Sequence, residues 1–134
     1  AALPATSAGQ SAGCGGHRGD RRIEPVAAGG IEVYSARANG IPGWANSILL
    51  PGMTMGRVYR LKLSDDGRSV VGASEELFRT ANRYRDIAIG RDQRTFYLVT
   101  DNDGLGRTTN PAGASVTTFA NPGAILEFKY TAAP

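Results

Sequence analysis

At 134 residues, with 41% hydrophobic and 20% charged side chains, the chain has the length and composition of one domain with a buried core and little room for two. Its net charge of +3 comes mainly from the segment His17-Arg18-Gly19-Asp20-Arg21-Arg22, and the remaining Lys and Arg are scattered among acids. That distribution lacks the basic face with interleaved aromatics that nucleic-acid binding requires, and no run approaches the roughly 18 apolar residues of a membrane-spanning helix. Neither a nucleic acid nor a membrane span is expected.

From Ala1 to Gly30 the sequence is mostly Ala, Gly, Ser and Arg, with few large apolar side chains. Such a stretch cannot bury enough surface to outweigh its ordering entropy. It reads as a flexible leader over 1–30, ahead of a folded part over 31–134. Ala1-Ala2-Leu3-Pro4 has neither a basic nor an apolar signal-peptide region, and the chain opens on Ala rather than Met, as a processed or truncated product would. Cys14 stands alone among glycines, so it makes no internal disulfide or zinc site. A cysteine elsewhere in a larger protein and an idle thiol remain the alternatives for it.

Beyond the leader the pattern is strand, turn, strand. Gly30-Ile31-Glu32-Val33-Tyr34 alternates, and Ala38-Asn39-Gly40 breaks it. Ser47-Ile48-Leu49-Leu50 is a short apolar run closed by Pro51-Gly52, as in a strand buried on both faces. In Gly56 to Leu63, Arg60 and Lys62 share one face, with Tyr59, Leu61 and Leu63 on the other. Ser64-Asp65-Asp66-Gly67 is a turn leading into an expected strand at Arg68-Ser69-Val70-Val71-Gly72, and Ser74 to Phe78 offers at most one helical turn.

The second half repeats this order of elements. Asp86 to Gly90 reads as a strand, Arg91 to Arg94 as a turn, and Thr95-Phe96-Tyr97-Leu98-Val99-Thr100 as a β-branched and aromatic strand. A long polar loop runs from Asp101 to about Pro122, and Ala124 to Tyr130 forms the last strand. Asp101-Asn102-Asp103-Gly104 opens like a calcium-binding loop, but the twelfth position holds Ala112 where a Glu is required, so a capped turn is the better reading. Trp44 and Tyr59 read as core residues. About seven strands in two groups are compatible with a sandwich, a barrel or propeller blades.

Certain segments go further. Ile41-Pro42-Gly43-Trp44-Ala45-Asn46-Ser47-Ile48-Leu49-Leu50-Pro51, Gly56-Arg57-Val58-Tyr59-Arg60-Leu61 and Asn82-Arg83-Tyr84-Arg85-Asp86-Ile87 occur in order. Leu98-Val99-Thr100-Asp101 and Asn121-Pro122-Gly123 follow at sensible distances. Together, over roughly 24 to 131, they resemble the C-terminal part of the soluble glucose/sorbosone dehydrogenases. The resemblance implies an all-β fold made of the last two blades of a six-bladed β-propeller. Residues 31 to about 78 would be a four-stranded blade, and 85 to 130 the inner three strands of the closing blade. The closing blade's outermost strand would come from the N-terminal part of the complete protein. A propeller at roughly 40 to 50 residues per blade needs several hundred residues, so the remaining blades, covalent or on a separate chain, are an implied partner.

The family binds pyrroloquinoline quinone (PQQ) and calcium and oxidises the anomeric carbon of an aldose to a lactone. The resemblance therefore implies an aldose substrate and a secreted or periplasmic setting. Arg83 and Arg85 match the arginine pair that contacts the cofactor in the family. At i and i+2 of an extended chain they project to one side, with Tyr84 and Asp86 opposite. Two guanidiniums repel unless an anion lies between them, and the planar fork of each suits a carboxylate, of which PQQ carries three. The alternative is a surface pair bridged to Asp86, Asp101 or Glu76. Thr54 stands where the family places a cofactor-contacting lysine, and Pro25 where it places a threonine. The family's histidine base has no match, because His17 lies in the leader, and its main calcium ligands lie earlier in the complete protein. The implied reading is a dehydrogenase portion inactive alone. A non-enzymatic propeller module binding carbohydrate or protein, and a fragment without independent function, are the alternatives.

Overall fold

The structure is a computed structural model and describes residues 27–35, 38–104 and 106–133. Cys14, His17, Pro25 and most of the expected leader lie outside the described residues. Among the described residues all helix or strand structure is β, and every strand pairing is antiparallel. The first sheet is four-stranded and runs in chain order: β1 (Glu32–Tyr34), β2 (Ser47–Pro51), β3 (Val58–Lys62) and β4 (Glu75–Leu77). Next come β5 (Tyr84–Ile89) and β6 (Thr95–Thr100), the small hairpin of β7 (Thr108–Thr109) and β8 (Ser115–Val116), and finally β9 (Ile125–Lys129). β5, β6 and β9 form a three-stranded sheet in that order.

One expected element moves. Over Arg68–Gly72 only a single bridge forms, between Leu63 and Val70, and Val71 is exposed. The fourth strand lies at Glu75–Leu77 instead, held against β3 by ionic partners. Arg60 donates from Nε to Glu75 Oε2 at 3.0 Å and from Nη2 to Oε1 at 2.7 Å, while Arg57 Nη1 reaches Glu76 Oε2 at 2.8 Å. A two-point guanidinium–carboxylate match fixes register as well as adding attraction, and the exposed valines of 70–71 have no equivalent. The hairpin β7–β8 also adds strand structure inside the segment expected as a loop.

The sheets pack face to face. Tyr34, Leu49 and Val58 from the first sheet meet Tyr84, Ile87, Phe96 and Leu98 from the second, with Ile41 closing one end. Phe96 is the hub of an aromatic cluster, its ring centroid 5.5 Å from Trp44, 5.5 Å from Phe78 and 6.2 Å from Tyr34. The Tyr34 phenol donates to the Gln93 carbonyl at 2.5 Å and accepts from the Ile41 N–H at 2.7 Å, so its burial leaves no polar atom stranded. Trp44 is a core-flanking residue as expected, and it carries the Arg60 guanidinium 5.2 Å from its ring centroid. Tyr59 is fully buried but lies outside the main core cluster. Among the described residues its hydroxyl has no hydrogen-bond partner.

The outward sheet faces also carry exposed apolar side chains. On the first sheet Val33, Ile48 and Leu61 form a cross-strand row, with Val33 55% and nearby Ile31 63% exposed. On the second sheet Val99 and Ile125 are paired across β6 and β9, and Ile125 is 71% exposed. β9 pairs only with β6 among the described residues, so its other edge is open.

Candidate functional site

The site grows from the end of the β5–β6 hairpin. Tyr84 faces Thr100 in register, but the next pair is Asp86 with Val99, so Arg85 is an extra residue bulged out of the ladder. A bulge sets successive side chains on nearly the same side of the sheet and re-aims them. The burial sequence shows the result: Tyr84 and Ile87 are buried in the core although they are three apart, and Arg85 and Asp86 are both exposed. Strict alternation had grouped Asp86 with Tyr84 against the arginines. The bulge corrects this, and Asp86 turns outward to accept the Ile87 N–H at 2.9 Å.

Just past the last ladder pair, Asp101 lies opposite Arg83. Its backbone N–H donates to the Arg83 carbonyl at 3.0 Å, and its own carbonyl accepts from Gly123 N–H at 2.9 Å. With the backbone fixed at both ends, the Asp101 carboxylate receives both arginines. Arg83 Nε donates to Oδ2 at 3.0 Å, and Arg85 Nε donates to Oδ1. Asp101 is 5% exposed and the Arg83 side chain 12%, while half of the Arg85 side chain remains open to solvent. Burial favours the neutral carboxyl, but the hydrogen bonds and charges of Arg85 and Arg83 outweigh it and hold Asp101 below the usual carboxylate range.

The two arginines are not equivalent. Arg83 also donates from Nη1 to the Arg107 carbonyl at 2.8 Å, and its Nη2 lies 4.0 Å from Met53 Sδ. Gly106 packs against the same guanidinium. At its φ of 140° a side chain would be strained, and a Cβ there would sit 3.0 Å from Arg83 Nη1. Among the described residues Arg85 has Asp101 as its single partner, through Nε.

The neighbouring turns are tied to the same point. The turn carrying Thr54 reaches Arg83 through Met53, and the Thr54 carbonyl accepts from Thr109 Oγ1 at 3.1 Å. Gly29 crosses the edge of β5 so closely that a Cβ would stand 2.5 Å from the Arg85 carbonyl oxygen. Asn82, fully buried, holds the loops together. Its Nδ2 donates to Thr80 Oγ1 at 2.9 Å and to Asn121 Oδ1 at 3.1 Å, and its Oδ1 accepts the Asn121 N–H at 2.8 Å. In the sequence Asn82 reads only as part of a motif, and Asn121 as a turn starter before Pro122. Their partnership spans 39 positions and leaves no local signal. In the Asp101–Gly104 segment the Asp103 side chain does not cap its own turn; its Oδ1 accepts the N–H of Phe119, 16 positions on, at 2.7 Å. Among the described residues no group of three or more His, Cys, Asp or Glu side chains gathers as a metal site.

The cluster holds a half-exposed guanidinium on a buried carboxylate. The family model for glucose/sorbosone dehydrogenase matches residues 22–107, a span that contains Arg83, Arg85, Asp101 and Arg107. The chain belongs to the glucose/sorbosone dehydrogenase family. It is 31% identical over 107 residues to quinoprotein glucose dehydrogenase B of Acinetobacter calcoaceticus, a match covering 80% of this chain and 22% of that relative. The chain thus spans about a fifth of the length of the curated relative it matches, and further parts of such a protein lie outside it. Among the described residues no helix is long and apolar enough to cross a membrane.

Proposed function

We propose that the chain is the C-terminal portion of a six-bladed β-propeller aldose dehydrogenase, secreted or periplasmic, that uses PQQ and calcium and converts the anomeric carbon to a lactone. The four-stranded sheet β1–β4 is one blade. The sheet β5-β6-β9 is the closing blade, and its open β9 edge receives a strand from the N-terminal part of the complete protein. The observation that carries the reading is the Arg83–Asp101–Arg85 cluster, an excess of positive charge held at a strand end in a chain of quinoprotein-type ancestry.

The donor set fits a carboxylated cofactor. Asp101 cancels one of the two cationic charges, and the exposed guanidinium fork of Arg85 matches a carboxylate in spacing and plane. Bound there, PQQ supplies the two-electron oxidising capacity. This chain's residues bind and orient it: Arg83 and Arg85 hold its charge, Asp101 fixes them, and the turn 52–56 walls one side through Met53. Removing the proton from the sugar hydroxyl requires a base within hydrogen-bond reach. That base and the calcium ligands belong to other blades, so the chain alone is catalytically inactive. In the complete protein loaded with PQQ and calcium, aldose-dependent reduction of a redox dye is expected. Replacing Arg83 and Arg85 together by Ala should lower it by tenfold or more, and undiminished turnover would remove them from the site.

Thr54 favours a second reading. A threonine hydroxyl cannot supply the charge of the lysine that the family carries in this turn. A propeller that had lost its cofactor and kept its rim for carbohydrate or protein recognition would show this substitution. A complete, folded protein that neither takes up PQQ nor oxidises sugars would support that reading over the first.

A further inference from the structure

The chain has two methionines, Met53 and Met55, and both stand in the turn between β2 and β3. Each sulfur lies against a polar donor, and the donors differ. Met53 is half-buried, and its Sδ lies 4.0 Å from Nη2 of the Arg83 guanidinium. Met55 is 9% exposed, and its Sδ lies 3.9 Å from Thr109 Oγ1. That hydroxyl already donates to the Thr54 carbonyl at 3.1 Å. A thioether is only a weak acceptor, so neither contact contributes much as it stands. The guanidinium is nevertheless fixed in place, with Nε on Asp101 at 3.0 Å and Nη1 on the Arg107 carbonyl at 2.8 Å. A cation is therefore held beside the more accessible of the two sulfurs.

We propose that Met53 is a modification site, oxidised reversibly to the sulfoxide by hydroperoxides with the help of Arg83. The Met53 sulfur attacks one oxygen of hydrogen peroxide, and an S–O bond forms as the O–O bond breaks. Sulfur gives up two electrons, and the peroxide is reduced. The departing hydroxide takes the proton of the transferred hydroxyl, so the products are a sulfoxide and water. Negative charge develops on the departing oxygen, and a guanidinium already fixed beside the sulfur stabilises it. The product gains as well. A sulfoxide oxygen is a strong acceptor, and Arg83 Nη2 meets it in a charge-assisted hydrogen bond that ties the turn to the start of β5. Met55 has neither advantage. Its neighbour is a neutral hydroxyl bonded elsewhere, and the backbone beside it is tightly packed: a Cβ on Gly56 would stand 2.6 Å from the Thr109 carbonyl oxygen. A sulfoxide there would bury a polar oxygen without a partner. None of this chemistry needs a bound cofactor, so it stands apart from the PQQ reading.

The test exposes the folded complete protein to hydrogen peroxide and follows each methionine by peptide mass spectrometry, with the same treatment in urea giving the rates without a fold. In the folded protein Met53 is expected to oxidise about tenfold faster than Met55 or more, and in urea the two should agree within about twofold. Arg83→Gln should slow the Met53 reaction severalfold, whereas Arg83→Lys, which keeps a cation, should retain most of the rate. The product is tested in the Met55→Leu background. After peroxide treatment that protein should unfold at the same midpoint as one carrying Met53→Leu in addition, or above it. Equal rates at Met53 and Met55 in the folded, unmodified protein would overturn the proposal, whether or not the Arg83 variants fold. So would an unchanged Met53 rate in folded Arg83→Gln, or a treated Met55→Leu protein that unfolds several degrees below its doubly substituted control.

Discussion

Asp101 remains a carboxylate at a position where burial alone would favour its neutral form, and two guanidiniums are the reason. Its folded-state pKa is depressed, so its contribution to stability is fully present above the unfolded value of about 3.9 and is lost as pH falls through the folded value. Asp101→Asn leaves Arg83, nearly buried, without its counter-charge. The expected cost at neutral pH is about 3 kcal/mol. Denaturant unfolding of the 134-residue chain across a pH series checks both points. The variant should be less stable than the unmodified chain at pH 7, and the gap should narrow below about pH 4 as Asp101 takes up a proton. A gap that stays constant into acid would show that the carboxylate charge does not stabilise the fold.

At the scale of elements, the bulge at Arg85 and the Asn82 clamp decide whether a site exists. Asn82→Ala strands the Asn121 N–H and frees the loop from Asp101 towards Pro122. A loss of roughly 2 kcal/mol is expected, with faster hydrogen exchange at the Asn121 amide. Exchange unchanged at that amide would show that the clamp is not what holds the loop. These elements were unevenly legible in the sequence. The alternation in Val58–Lys62 and the β-branched, aromatic run of Thr95–Thr100 identified β3 and β6 directly, because period-two patterning reports a sheet face without knowing its partner. β4 was missed because Glu75 and Glu76 look helical in isolation and become a strand only through arginines 15 and 19 positions away. The bulge was missed for the same kind of reason. A one-residue insertion in a ladder is defined by the opposite strand, so Asn82-Arg83-Tyr84-Arg85-Asp86 shows unbroken alternation until Thr100 and Val99 are set against it. The convergence of Arg83 and Arg85 was legible, whereas the choice of Asp101 over Asp86 or Glu76 as their bridge was not.

For the whole molecule, the outward faces state what this portion needs. Val33 and Ile31 on one sheet, and Val99 and Ile125 on the other, leave apolar surface on opposite sides, and β9 keeps an open edge. Faces and edges of this kind associate. The 134-residue chain is therefore expected to self-associate with rising concentration in sedimentation experiments, and Val33→Glu combined with Ile125→Lys to suppress that association. Association that persists undiminished in the double variant would place the contact elsewhere.

The central claim is that these sheets present an arginine pair to PQQ in a complete glucose/sorbosone dehydrogenase. The most direct measurement is a calorimetric titration of the complete protein with PQQ in the presence of calcium, beside the same protein carrying Arg83→Ala and Arg85→Ala. Saturable binding that weakens by about a hundredfold in the double variant is the result expected, in line with the loss of charge-assisted contacts. Equal affinity in both proteins would contradict the account.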